Sequence, residues 1–259
     1  MDATLAIDTK MQFFKYLENS ILDIDGGNIR AKLWFCGIEP GIPINFSEEY
    51  FKKEILSKKT IYSVDDFRDE SFQVPYYTGN IYGYPFDKKV GKVLKGWIGI
   101  DYIDSYEQNA PVFKLNLFPL PAAHISSWNE FNKKMSGCTL KSEYYGRCIS
   151  HRFPLLRELV INYDPTVIVC IGRGFIKEFK FAFWGDTEVD VPGMPKQLRN
   201  NEIYPQIHVH RKQGFPTIIE TPFFGWRKFQ LNLDCDAILL GEYIGKQLLE
   251  YPDKPKFVN

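Results

Sequence analysis

A carboxylate placed just past a buried strand is a candidate for proton chemistry, and residues 33–41 supply one: Leu33-Trp34-Phe35-Cys36-Gly37-Ile38-Glu39-Pro40-Gly41. The first four are bulky and uncharged, as in a strand covered on both faces. Gly37 and Pro40-Gly41 punctuate the turn that follows. Glu39 therefore falls at the carboxyl end of a core strand, where open α/β sheets hold their ligands. Two readings follow, a catalytic carboxylate or a solvated turn residue. A second polar side chain, Asn116, interrupts the apolar run Val112-Phe113-Lys114-Leu115-Asn116-Leu117-Phe118. Its amide carries donors and an acceptor, so it can read the edge of a partner, and inside a core it must find one.

Other constellations carry less. His208 and His210 alternate on a strand and would share one face, as metal ligands do. No third ligand stands at an obvious spacing, so a surface strand is the plainer reading. Gly172-Arg173-Gly174 follows an apolar strand and opens a helix, which suits a phosphate. The third glycine of the dinucleotide fingerprint is Lys177 here and no Walker sequence occurs, so a tight turn explains it as well. A serine triad lacks its nucleophile elbow. Lys88, Lys89, Lys92 and Lys95 have no acid among them, and Arg211-Lys212 and Arg227-Lys228 flank the last strand and its loop. Such clusters are solvated faces or, beside the aromatic, Gly-rich loop 71–86 (SFQVPYYTGNIYGYPF), a track for a nucleic-acid backbone with stacking platforms.

The elements that must position these residues alternate. Helical spacing runs over 12–22, a charged surface helix over 46–59, and a further helix over 87–97. Strands are expected at 33–36, 112–118 and 166–171, with a looser insertion around 122–147 and a helix over 153–162 that has Pro154 in its first turn. A helix follows Gly174 to about 183, then a long polar loop around 184–206, short strands at 208–210 and 216–220, and a closing helix at 236–250. Repeated strand–turn–helix units predict an α/β domain with a mostly parallel sheet, here a single domain over 1–259. The bulk numbers agree: 259 residues, with Lys+Arg and Asp+Glu balanced at 32 each, give no global field for a polyanion. Five scattered cysteines without a CxxC argue against a zinc ribbon. With no signal-like start and no transmembrane-length run, the expectation is an intracellular protein (cytoplasmic or nucleoid-associated) that does not enter membranes.

In order and content these segments resemble the uracil-DNA glycosylase superfamily. Gly37-Ile38-Glu39-Pro40-Gly41 is similar to its first catalytic loop, and Gly83-Tyr84-Pro85-Phe86 to the segment whose aromatic stacks on the flipped base. Asn116, in a strand followed by Pro119 and Pro121, is similar to its base-reading asparagine. The run Cys148 to Gly172 matches its helix-then-strand segment, and Ile218-Ile219-Glu220-Thr221-Pro222-Phe223-Phe224-Gly225 stands where its H-P-S loop enters the minor groove. The resemblance spans about residues 31–230. It implies a three-layer α/β/α fold with a central, mostly parallel four-stranded sheet. It also implies a protein that flips a uracil-like modified or damaged base into a pocket and hydrolyses its N-glycosidic bond. The alternative is a catalytically inactive nucleic-acid- or nucleobase-binding protein of the same fold.

On that reading Glu39 orients a water, Phe86 or Tyr84 stacks on the base, and Asn116 reads it. Lys89, Lys92, Arg211, Lys212, Thr221, Phe223 and Arg227 contact DNA, single-stranded or carrying a modified base, and no cofactor is needed. Two departures stand out. Thr221 replaces the family histidine, and the branch that uses glutamate places it where this chain has Ile38. The cysteine spacing does not supply the four ligands of the iron–sulfur branch.

Overall fold

The computed structural model describes residues 26–41, 85–99, 111–186, 193–198, 206–224, 231 and 233–248. The helices expected at 12–22 and 46–59, the aromatic loop up to Tyr84, and Arg227-Lys228 lie outside these residues.

Apolar runs bounded by turn residues become the centre of one sheet. β1 is Gly26–Gly27, β2 Leu33–Gly37, β3 Val112–Asn116, β4 Val167–Ile171, β5 Met194–Gln197, β6 Gln206–His210 and β7 Thr217–Thr221. They lie in the order β1-β3-β2-β4-β7-β6-β5. The four inner strands β3, β2, β4 and β7 run parallel, with Leu33 opposite both Val112 and Val167, and Val167 opposite Thr217. β1, β6 and β5 add antiparallel edges. The sheet is thus mixed, with six strands of four or five residues plus a two-residue edge strand, and the expectation of a mostly parallel four-stranded sheet is corrected. Beyond β6, which the sequence places at 208–210, the additions are those that pattern reading misses. β1 is two glycines, and β5, inside the segment expected as a loop, has no apolar alternation and is held by its pairing with β6. Pro195 is tolerated there because β5 is an edge strand.

Five helices are described: α1 Pro85–Ile98, α2 Glu130–Ser136, α3 Lys141–Tyr163, α4 Ile176–Trp184 and α5 Asp234–Leu248. Strand alternation sends Trp34, Cys36, Leu115, Ile168 and Ile218 to one face, where Tyr144, Leu156 and Leu159 of α3 and Phe179 and Phe183 of α4 cover them. Leu33, Phe35, Val169 and Ile219 point the other way, against Val90 and Val93 of α1 and Leu240 and Ile244 of α5. Helices therefore pack on both faces of the sheet. Each fully buried large apolar side chain contributes about 1.5–3 kcal/mol, so these two clusters hold the layers together. On the second face α1 and α5 approach closely because side chains are missing between them: a Cβ on Gly96 would collide with the Ile238 carbonyl, and one on Gly241 with that of Val93.

Residues 122–147, expected as an insertion, carry α2 and the first two turns of α3. Asn129 caps α2, its side chain accepting from Asn132 N at 2.9 Å, a cap worth about 1 kcal/mol. α3 begins at Lys141 rather than at Phe153, so Pro154 lies inside the helix and not in its first turn. The helix tolerates Pro154 because that residue faces solvent, while Tyr144, Cys148, Arg152, Leu156 and Leu159 keep a continuous buried stripe. No helix among the described residues is long and apolar enough to cross a membrane.

Candidate functional site

Because the four inner strands are parallel, their carboxyl ends share one edge: Gly37, Asn116, Ile171 and Thr221. The chain leaves β2 toward β3 on one side and β4 toward β7 on the other. The loops after β2 and β4 therefore lead in opposite directions, which makes this edge the switch point where such sheets hold a ligand crevice. Two loops are fastened together on one flank of it. Leu117 N donates to Gly37 O at 3.0 Å, Phe118 N to Ile38 O at 2.8 Å, and Ala122 N to Pro40 O at 3.0 Å. Glu39 is thus carried on a stiff ledge rather than on a free turn.

The Glu39 side chain is 6% exposed, and Lys141 Nζ, at the first turn of α3, donates to its Oε1 at 2.8 Å. One turn further on, Tyr145 Oη contacts Oε2 at 3.5 Å. Burial pushes the Glu39 carboxyl above its ordinary value, and the hydrogen bond and charge of Lys141, helped by Tyr145, oppose that shift without cancelling it. Tyr145 in turn stacks on Phe118, with centroids 3.9 Å apart, and meets Phe175 edge-on. Burial and the Glu39 charge push the phenol well above its ordinary value, so it remains a donor. Glu39 is therefore not a solvated turn residue.

Asn116 is buried at the end of β3, with its Oδ1 where a Cβ on Gly37 would have to sit. Its backbone is held from beneath by the fully buried Arg152, which donates to Asn116 O at 3.0 Å and to Leu117 O at 2.9 Å. Strand alternation turns the Asn116 amide toward the α1/α5 face. Phe86, at the start of α1, lies on that face too, 5.6 Å from the Phe224 ring and 5.5 Å from Lys114 Nζ. The structure thus brings Asn116 and Phe86 to the same face, while the hydrogen bonds of Glu39 go to α3 on the other. Ile38, beside Glu39 in the same loop, is buried and packs over Gly172 beside Phe223.

The expected phosphate contacts are mostly engaged. Lys89 and Lys92 approach the Asp234 carboxylate at 2.8 and 3.9 Å, tying α1 to α5. Lys212 faces Asp186 at 3.6 Å and lies over the Phe215 ring. Arg211 is exposed, and Phe223 is an exposed aromatic at the crevice. Thr221 is buried and donates its hydroxyl to Cys170 O at 3.3 Å. Tyr84 and Arg227 lie outside the described residues.

On the opposite flank, His208 and His210 do share a face, as their alternation requires. Both meet Glu220 Oε2, at 3.4 and 3.3 Å, and His210 and Glu220 are buried. This is not a surface strand. Among the described residues no group of three His, Cys, Asp or Glu is arranged to hold a metal ion. Burial alone would raise Glu220, but the His210 hydrogen bond and the charges of His208, His210 and Arg173 outweigh it and bring it below its ordinary value. Burial also lowers His208, with Glu220 pulling back and Arg173 and His210 adding to the fall.

Three of these partners, Lys141, Tyr145 and Arg152, escape a reading of the sequence. Lys141 and Tyr145 stand four apart, as helix neighbours do, inside the segment read as an insertion. Glu220, a charge within Thr217-Ile218-Ile219-Glu220-Thr221, was legible as an acid in a buried strand. Arg152 gives no signal beyond its place on the buried stripe of α3. Comparison with models of known protein families gives no match, and no curated protein sequence matches the chain.

Proposed function

We propose that the chain is a divergent uracil-DNA glycosylase-like protein that takes a modified or damaged base into the carboxyl-edge crevice and hydrolyses its N-glycosidic bond. One observation carries the reading: the loop with Glu39, the strand end with Asn116 and the Thr221-Pro222-Phe223 segment converge on one edge of a four-strand parallel core flanked by helices. These are three of the segments on which the resemblance rests, and they are far apart in sequence. A fold alone does not make a function, so the support is the shared edge itself, with Glu39 held from one face of the sheet and Phe86 on the other.

The chemistry asked of them is limited. Asn116, seated over Gly37, pairs with the amide-like edge of the base, and an aromatic beside it covers the base face. As the C–N bond breaks, its electron pair leaves with the base and the sugar becomes cationic. Glu39 stabilises that cation and accepts a proton from the water whose oxygen bonds to the sugar carbon. Oε1 is committed to Lys141, whereas the 3.5 Å contact from Tyr145 leaves Oε2 able to accept from a water.

A second reading, a silent binder of nucleic acid or nucleobase, is favoured by the Glu39–Lys141 ion pair and by Thr221, whose hydroxyl is spent on Cys170 O. Oligonucleotides carrying uracil, hypoxanthine, xanthine or hydroxymethylated bases separate the two after alkali cleavage of abasic sites. The glycosylase reading expects at least one to be cut. Binding that weakens steeply with salt, and no cleavage of any of them, supports the binder.

A further inference from the structure

The Glu39 carboxylate is held from a single helix face, and the holder has nothing left to give. An ammonium has three N–H bonds, and Lys141 Nζ has three acceptors: Glu39 Oε1 at 2.8 Å, Ile125 O at 2.7 Å and Ser127 O at 3.4 Å. Its charge also lies 5.3 Å from the centre of the Tyr145 ring. Tyr145 itself is clamped by Phe118, which belongs to the loop fastened alongside Glu39. A lysine bound this way is not a mobile phosphate ligand. Nor can it stand in for the histidine absent at Thr221, because it has no free proton to direct at a departing base.

We propose that Lys141 is a positioning residue for Glu39, fixing the carboxylate in its ionised form and in one orientation so that Oε2 is the oxygen offered to water. The role rests on the proposed function, since a water-orienting carboxylate must be ionised to accept a proton. Burial of the side chain is unfavourable to the charge, and α3 supplies the donors that oppose it, Lys141 and Tyr145. From α4 and α3, Glu178 and Cys148 act on the Tyr145 hydroxyl and reinforce its protonated form. Without Lys141, burial would favour the neutral acid, which cannot serve as a base.

The test reads Glu39 directly. The full chain is labelled with ¹³C at the glutamate side-chain carboxyl, and the Glu39 resonance is identified by its loss in Glu39→Gln. In wild type the titration midpoint is expected above the ordinary glutamate value. In Lys141→Met it should move up by about one pH unit or more, the usual effect of removing an adjacent opposite charge, and Lys141→Arg should return most of the shift. If Lys141→Met does not fold, Lys141→Gln carries the same expectation, and Tyr145→Phe should move the midpoint in the same direction by less. An unchanged midpoint in the uncharged variants, or a larger shift in Tyr145→Phe than in Lys141→Met, overturns the proposal. Cleavage is measured separately on the oligonucleotide panel. A shifted midpoint with no cleavage keeps the hold of Lys141 on Glu39 and removes the glycosylase reading; cleavage with an unshifted midpoint does the reverse. Where cleavage occurs, the acid limb of its pH profile should move with the midpoint.

Discussion

Two buried glutamates flank the crevice, and they are stabilised in opposite ways. Glu39 meets one lysine, and its carboxyl still stands above the ordinary value because burial prevails. Glu220 is the more exposed of the two and meets two imidazoles with Arg173 nearby, and its carboxyl falls below the ordinary value. The β2–β3 flank thus pairs its acid with an ammonium and the β6–β7 flank with two imidazoles. A group left with a raised pKa in a crevice is poised for proton transfer, whereas one with a lowered pKa is a settled ion pair. On the proposed function, that difference puts the proton transfer on the first flank and a structural ion pair on the second.

The largest break in this contrast comes from beneath the first flank. Arg152→Leu removes two charge-assisted hydrogen bonds from the carbonyls of Asn116 and Leu117. At about 1.5–3 kcal/mol each, stability to urea should fall by roughly 3–6 kcal/mol. A loss under about 1 kcal/mol would show that the end of β3 does not depend on this cation. A smaller break is Gly37→Ala, whose methyl group would collide with the Asn116 amide. Overpacking of this kind costs about 1–3 kcal/mol, and, on the proposed function, the variant should lose discrimination among bases while still binding the nucleic-acid backbone. Unchanged base preference would remove Asn116 from the site.

How much of this was legible beforehand depends on distance along the chain. Leu33–Gly37 and Val167–Ile171 announce themselves, because an uncharged run bounded by glycine and proline has few other destinations. The position of Glu39 at a strand end follows from the same local pattern. Its partner does not, for Lys141 is 102 residues away and is brought close only by the crossover from β3 to β4. The His208–Glu220 contact likewise depends on strand register, which hydrophobic pattern alone could not give. Pro154 misled because proline usually marks a helix start, whereas here the buried stripe on the other side of α3 overrides it. The lysines of α1 look like a free basic track until Asp234 of α5 is seen beside them.

The smallest expected effect concerns pH and has a different sign on each flank. His208 is lowered from 6.5, so the folded protein binds fewer protons there than the unfolded chain. Its contribution is full above pH 6.5 and is lost as pH falls below that value toward the folded pKa. Glu220 behaves likewise, with stability present above 4.5 and lost as pH falls through its lower folded value. Glu39, raised from 4.5, contributes below 4.5 and loses that contribution as pH rises through its folded value. Thermal melts across this range should show wild type weakening just below pH 6.5, with a flatter slope in His208→Gln. Parallel slopes would mean that the histidine flank is not titrating.

On the proposed function, proton chemistry belongs to the lysine flank alone. The most direct test of this is single-turnover cleavage, on whichever modified base wild type removes, by Glu39→Gln and Glu220→Gln side by side. The account predicts a fall of about 10²–10⁴-fold for Glu39→Gln, the usual worth of a positioned base, and a rate within a few-fold of wild type for folded Glu220→Gln. Equal rates for the two variants, or a loss confined to Glu220→Gln, would contradict it.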